Sequence, residues 1–160
     1  MAKGKTPATP ALRALKAAKA DFSLRPYAYE DHGGTARAAG ELGVEEHAVV
    51  KTLVMQDEGG HPFLVLMHGD KEVSTKALAR ELGVKAVSPC GPADAERYTG
   101  YQVGGISPFG TKRQLPVYYE KSIMDLQRIY INAGRRGLLA ELDPQELRRM
   151  LAAKEVCAAR

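Results

Sequence analysis

The sequence predicts an α/β fold of the mixed α+β kind, a mixed and largely antiparallel sheet surrounded by helices, on three observations. Strand-like and helix-like segments are interspersed without the regular alternation of a parallel βαβ protein. Two apolar runs, Val49–Met55 and Pro62–Met67, flank Gln56-Asp-Glu-Gly-Gly60, the pattern of two central strands joined as a hairpin. Helical segments open on Ser, Thr or Asp, and two of them stop on glycine.

Taken in order, residues 1–8 read as a loose tail, after which Thr9-Pro10 supplies a cap and a first-turn proline for a helix running to about Lys19. Phe22 to Tyr29 alternates as an exposed strand, and Pro26 argues for a sheet edge. His32-Gly-Gly-Thr-Ala36 turns into a second helix with Thr35 as its cap and Gly43 past its end. After the hairpin, Ser74 caps a helix carrying Leu78 and Leu82 and closed by Gly83; Val84–Val87 reads as a strand and Pro92–Tyr98 as a short helix. Leu115–Tyr119, Arg128–Asn132 and Leu138–Leu142 are strand-like, the last two pairing across Ala-Gly-Arg-Arg-Gly. Asp143-Pro-Gln-Glu146 opens a final helix with proline at its first position. Glu-Leu-Gly-Val occurs at 41–44 and again at 81–84, which two similar helix ends explain better than a repeat array.

At 160 residues the chain suits one compact domain, residues 9–160, because a core of this size hides roughly two thirds of the unfolded surface. No apolar run approaches the roughly 20 residues that span a bilayer. The start carries lysines without an apolar stretch behind them, and the two cysteines lie 67 positions apart, so a cytoplasmic protein without a disulfide framework is expected. The net charge is +4; residues 1–100 carry 13 basic and 13 acidic side chains, whereas 101–160 carry 10 and 6. An anionic partner should therefore meet the C-terminal part, a plain solvated surface being the alternative.

Three segments could carry chemistry. Gly105-Ile-Ser-Pro-Phe-Gly110-Thr111-Lys112 nearly matches a phosphate-binding P-loop, yet Pro108 has no N–H, Thr and Lys are transposed, and no helix follows. What survives is Gly104-Gly105, where a missing Cβ lets a ligand approach the backbone, or simply makes a bend. Lys51 shares one strand face with Val49, Leu53 and Met55 while Val50, Thr52 and Val54 occupy the other, so both faces are apolar. An ammonium there must meet an anion or carbonyl, sit in a cleft, or snorkel out. Arg128 to Gly137 runs a strand into a turn bearing Arg135 and Arg136, which either clamp phosphate or stay solvated. His47, His61 and His68 lack metal-ligand spacing, Cys90 reads as a loop thiol, and no G-x-S-x-G occurs. No metal or cofactor is expected, and an enzyme built this way would rely on positioning and on dipoles aimed at a carbonyl.

Val50-Lys51-Thr52-Leu53, then Thr99-Gly-Tyr-Gln-Val-Gly-Gly-Ile-Ser-Pro-Phe-Gly110, then Ile129-Tyr-Ile-Asn-Ala-Gly-Arg-Arg-Gly137 stand in family-like order and spacing. Together they resemble the YbaK/EbsC family of free-standing aminoacyl-tRNA deacylases, and within it the YbaK-type Cys-tRNA(Pro) deacylases, over about Thr9 to Leu151. The resemblance implies the prolyl-tRNA synthetase editing-domain (INS-like) fold. It makes Lys51 the essential lysine, at the 3′-terminal nucleotide or the ester, with Thr52 beside it, and has Gly104 present its N–H to the substrate carbonyl. It also implies substrate assistance: the cysteine thiol attacks its own ester and leaves as a thiolactone, so no protein nucleophile is needed. Tyr27 matches a pocket tyrosine, Gly105 and Ser107 belong to the substrate loop, and Asn132 falls where serine is common. Departures at His32-Gly-Gly-Thr35 and Ala133 bear on the amino acid chosen, which leaves alanine or another small residue open beside cysteine. Lys112, Arg113, Arg135 and Arg136 would meet acceptor-end phosphates, the terminal adenosine could stack on an aromatic such as Tyr27, and prolyl-tRNA synthetase is a possible partner. The rival reading is a non-catalytic module that binds tRNA ends or a synthetase.

Overall fold

The computed structural model of the protein describes residues 8–160, so the expectation of an N-terminal tail falls almost wholly outside it. Helix α1 (Pro10–Ala17) starts as expected, with the Thr9 hydroxyl accepting from Leu12 N at 3.0 Å. It ends two residues early because Lys19 turns with φ of 56°. Strand β1 (Phe22–Pro26) ends before Tyr29, since its partner strand β7 (Leu138–Leu142) begins opposite Pro26.

Thr35 is not the cap of α2 (Gly34–Leu42). Gly33 holds that position, and the Thr35 hydroxyl lies 2.6 Å from a Glu46 carboxylate oxygen instead. A single 3-10 turn, Glu46–Ala48, leads into β2 (Val49–Asp57), which pairs with β3 (Pro62–His68) in the hairpin the sequence predicts. Helix α3 (Thr75–Leu82) has the Ser74 cap and the left-handed Gly83 stop. Strand β4 (Val87–Pro89) lies three residues beyond the predicted start, placed by pairing with Met55–Asp57 rather than by its own apolarity.

Helix α4 (Pro92–Thr99), β5 (Val117–Glu120), a 3-10 turn over Lys121–Asp125 and β6 (Ile129–Arg135) follow. The last helix, α5 (Gln145–Leu151), begins one residue later than expected, with Pro144 as its cap residue and the Asp143 carboxylate accepting from Gln145 N at 2.8 Å. Strand β8 (Lys154–Val156) was not foreseen.

The sheet order is β1-β7-β6-β2-β3-β5-β8, with β4 on β2. Pairings β6–β2, β3–β5 and β5–β8 are parallel and the others antiparallel, so the sheet is mixed as predicted. Every residue of β3 is buried. Alternation explains this: Leu64 and Leu66 pack in the cluster that holds Leu12, Leu15, Ile131 and Leu147, while Phe63 and Val65 pack with Leu78 and Val156 on the opposite face. No helix among the described residues is long and apolar enough to cross a membrane.

Candidate functional site

The cleft exists because β2 loses its neighbour on one side. On that side β6 pairs only with Val49 and Val50, and β4 pairs only with Met55 to Asp57. Lys51, Thr52 and Leu53 are left between two diverging strands. Cys90 N donates to Val54 O across the open side, whereas Gly69 N donates to Val49 O across the β3 side. Alternation along the strand therefore turns the Thr52 N–H and C=O toward the opening. The Thr52 hydroxyl oxygen is buried there without a hydrogen-bond partner among the described residues, which is costly unless a ligand or water satisfies it.

Two cavities of about 380 and 410 Å³ follow one another along this edge and share Lys51, Thr52, Val103 and Ile106. The first is walled by Tyr27 and Tyr29 after β1, Thr35 and Ala38 of α2, and Asn132, Arg136 and Leu139. The second is walled by Leu53, Val54, Met55, Val73, Cys90 and Ala95 and is more apolar. Burial raises the Tyr27 phenol pKa and also raises that of the Cys90 thiol, leaving both neutral near pH 7.

Lys51 Nζ lies 3.4 Å from the Gly69 carbonyl and makes no ion pair with a carboxylate among the described residues. Thr35 Oγ1 is 3.1 Å from the same carbonyl but has one proton, and Glu46 at 2.6 Å takes it. The carbonyl is thus left to the ammonium, orienting it without neutralising it. Gly69 cannot be larger: a Cβ would stand 2.7 Å from Thr35 Cβ and 2.8 Å from Glu46 O.

The loop between α4 and β5 forms the facing wall and is pinned along its length. Tyr101, 4% exposed, donates to Phe109 O at 2.6 Å, and burial raises its phenol pKa to about 12. Glu96 accepts from Val103 N, Arg136 Nε donates to Val103 O at 2.8 Å, and Asn132 Nδ2 donates to Gly104 O at 3.3 Å. Asn132 Oδ1 also accepts from Gly134 N and Arg135 N, closing the bulge in β6. Gly104 has φ of 94°, and a Cβ on it would lie 2.6 Å from Tyr29 Oη. Gly105 sits behind the wall, its amide donating to Gln102 O, and a Cβ on it would lie 2.8 Å from Arg136 N and 2.9 Å from Arg135 C.

The structure therefore brings Lys51, Thr52, Gly104, Tyr27, Asn132 and Arg136 to one cleft. Gly105 and Ser107 do not line it; Ser107 is fully buried and accepts from Phe109 N. Arg136 is exposed, bonded to the loop and stacked over Tyr29 at 5.2 Å. Arg135, Lys112 and Arg113 lie outside the cleft on exposed surface, with Arg113 over the Tyr98 ring at 5.3 Å. Sequence reasoning missed Gly69, Glu46, Tyr29 and Val103, and it gave Thr35 a capping role. His68-Gly-Asp70 at the end of an apolar strand was a legible turn signal, but nothing local shows its carbonyl reaching back to Lys51.

Residues 30–150 match the family model described as the aminoacyl-tRNA editing domain. The chain belongs to the aminoacyl-tRNA editing domain family. It is 35% identical over 149 residues, 92% of this chain and 91% of the relative, to an Enterococcus faecalis protein, EbsC, provisionally named a Cys-tRNA(Pro)/Cys-tRNA(Cys) deacylase. A proline–tRNA ligase of Limosilactobacillus fermentum is 27% identical over 104 residues, 62% of this chain but 18% of the ligase. The fold matches a crystal structure described as a candidate trans-editing enzyme for prolyl-tRNA synthetase, with TM-score 0.83 and 22% identity over 97% of this chain and 99% of that one. Membership in the editing family makes aminoacyl-tRNA the substrate class and deacylation the reaction class.

Proposed function

We propose that the protein clears mischarged tRNA by cleaving the aminoacyl ester, with Cys-tRNA(Pro) as its principal substrate. The observation that carries this is the Lys51 ammonium, oriented by a carbonyl yet unneutralised, in the strand gap facing Gly104. The ester lies in the first cavity with its carbonyl oxygen toward the Gly104 N–H, since the Gly105 amide is committed to Gln102 O. Lys51 stabilises the charge that gathers on the ester or the adjoining phosphate. The second cavity takes the terminal nucleoside, whose base meets the Thr52 main-chain groups at the open strand edge rather than stacking on Tyr27, which lines the first cavity and not the second.

With cysteine as the amino acid, its own sulfur forms the new bond to the ester carbon and the ribose oxygen leaves, taking up the proton the thiol gives. A thiolactone and free tRNA result. The protein then supplies orientation and dipoles but no nucleophile. The Cys90 thiol fits that division: it lines the second cavity and its raised pKa leaves little thiolate. The EbsC likeness supports cysteine, and the match to a segment of proline–tRNA ligases supports work on tRNA(Pro) and association with that synthetase. A second reading, alanine, is favoured by the small apolar wall of Ala38, Val49 and Leu139.

The test is turnover of Cys-tRNA(Pro) and Ala-tRNA(Pro) with product identification. Thiolactone from the cysteinyl substrate supports the proposal. Faster release of alanine selects the second reading, and binding of tRNA without any gain in ester hydrolysis would make the chain a binding module.

A further inference from the structure

The Gly69 carbonyl that receives Lys51 is held from both sides by groups that do not line the cleft. On one side is His68, fully buried at the end of β3. Its Nδ1 lies 2.8 Å from His47 O and its Nε2 lies 2.7 Å from Ser122 Oγ. A carbonyl only accepts, so Nδ1 carries the proton and the neutral Nε2 accepts from the serine hydroxyl. On the other side, His47 Nδ1 donates to the Asp70 carboxylate at 2.9 Å. The two imidazoles are stacked, centroids 3.7 Å apart and planes 9° from parallel.

These contacts tie the 3-10 turn before β2, the end of β3 and the 3-10 turn after β5 into one block around Gly69. His47, His68 and Asp70 place ligand-type atoms within 4.8 Å of one another. Both His68 nitrogens are spent, however, and parallel rings do not aim lone pairs at a common ion. The block makes hydrogen bonds, and what it holds still is a carbonyl.

We infer that His68, clamped by Ser122 and flanked by the His47–Asp70 pair, is a positioning residue for Lys51, acting through the Gly69 carbonyl. The inference rests on the reading of Lys51 as a substrate contact. With one carbonyl at 3.4 Å as its partner among the described residues, the ammonium has little else to fix its direction. A shift of Gly69 therefore passes directly to the atom that meets substrate. Burial lowers the His68 pKa, with His47, Asp70 and Glu120 as the charged or titratable groups that bear on it, so the clamp stays neutral and closed near pH 7.

The experiment is a double-mutant cycle between Ser122→Ala and Lys51→Ala in the full chain. The readout is affinity for tRNA(Pro) carrying cysteine through a non-hydrolysable amide. Ser122→Ala alone should weaken binding roughly ten-fold, the scale on which partners of site residues act. In the Lys51→Ala background it should change binding by less than about two-fold, because the two act as one unit. His68→Asn, whose amide keeps the donor to His47 O and loses the Ser122 bond, should behave likewise. Equal losses in both backgrounds, or no loss from Ser122→Ala, overturn the inference alone. Lys51→Ala that binds and turns over like the parent removes instead the reading on which it rests.

Discussion

Lys51 is placed by two choices that a single residue could undo. β6 leaves β2 before Lys51 while β3 stays paired, and Gly69 offers a carbonyl where most residues would clash with Thr35. Lys51→Arg should not restore what Lys51→Ala loses, since a planar guanidinium cannot occupy a point-charge site aimed by one carbonyl. Turnover of either variant is expected to fall about 10²-fold or more. Gly104→Ala meets both a φ of 94° and the Tyr29 hydroxyl. We expect a loss of about 1–3 kcal/mol in stability from the backbone strain together with a fall in turnover. Melting and initial rates separate the two, and an alanine variant with full activity would show that the amide of residue 104 does not meet the ester.

At the level of elements, the loop over residues 100–116 is pinned by Tyr101 from within and by Glu96, Asn132 and Arg136 from outside. Tyr101→Phe leaves the Phe109 carbonyl without its partner and should cost about 1–3 kcal/mol. Because the same loop carries Val103 and Gly104, turnover should drop with little change in tRNA affinity; unchanged rates in a destabilised variant would show that the loop needs no such anchor. The central hairpin and the capped helices α1 and α3 were legible because alternation and caps are local signals. The α2 cap was misread since Thr35 has a better partner in Glu46, eleven residues away. Strands β4 and β8, three residues each, exist through pairing to β2 and β5 and carry no pattern of their own. For the site, Lys51 was visible as a cation among apolar neighbours. The gap around it was not, because it depends on where two distant strands stop.

For the whole molecule, burial holds the His68 pKa below the ordinary 6.5. An unfolded chain binds that proton more readily, so stability is lost as pH falls through the ordinary value toward the folded one. Glu141, held below the carboxylate range first by Arg25 and then by Arg128, adds a loss at lower pH as it is protonated. Melting temperature should therefore decline from about pH 6.5 downward, and His68→Asn should flatten the upper part of that decline. A melting temperature that rises on acidification would contradict the neutral clamp. The basic excess in residues 101–160 predicts tRNA affinity that weakens steeply with salt. Affinity indifferent to salt would point to a small ester as substrate. The most direct test of the central claim is the single-turnover rate of Cys-tRNA(Pro) deacylation by the parent protein and by Lys51→Ala. The account predicts rapid ester loss with the parent and a fall of about 10²-fold or more in a variant that melts normally; equal rates for the two would contradict it.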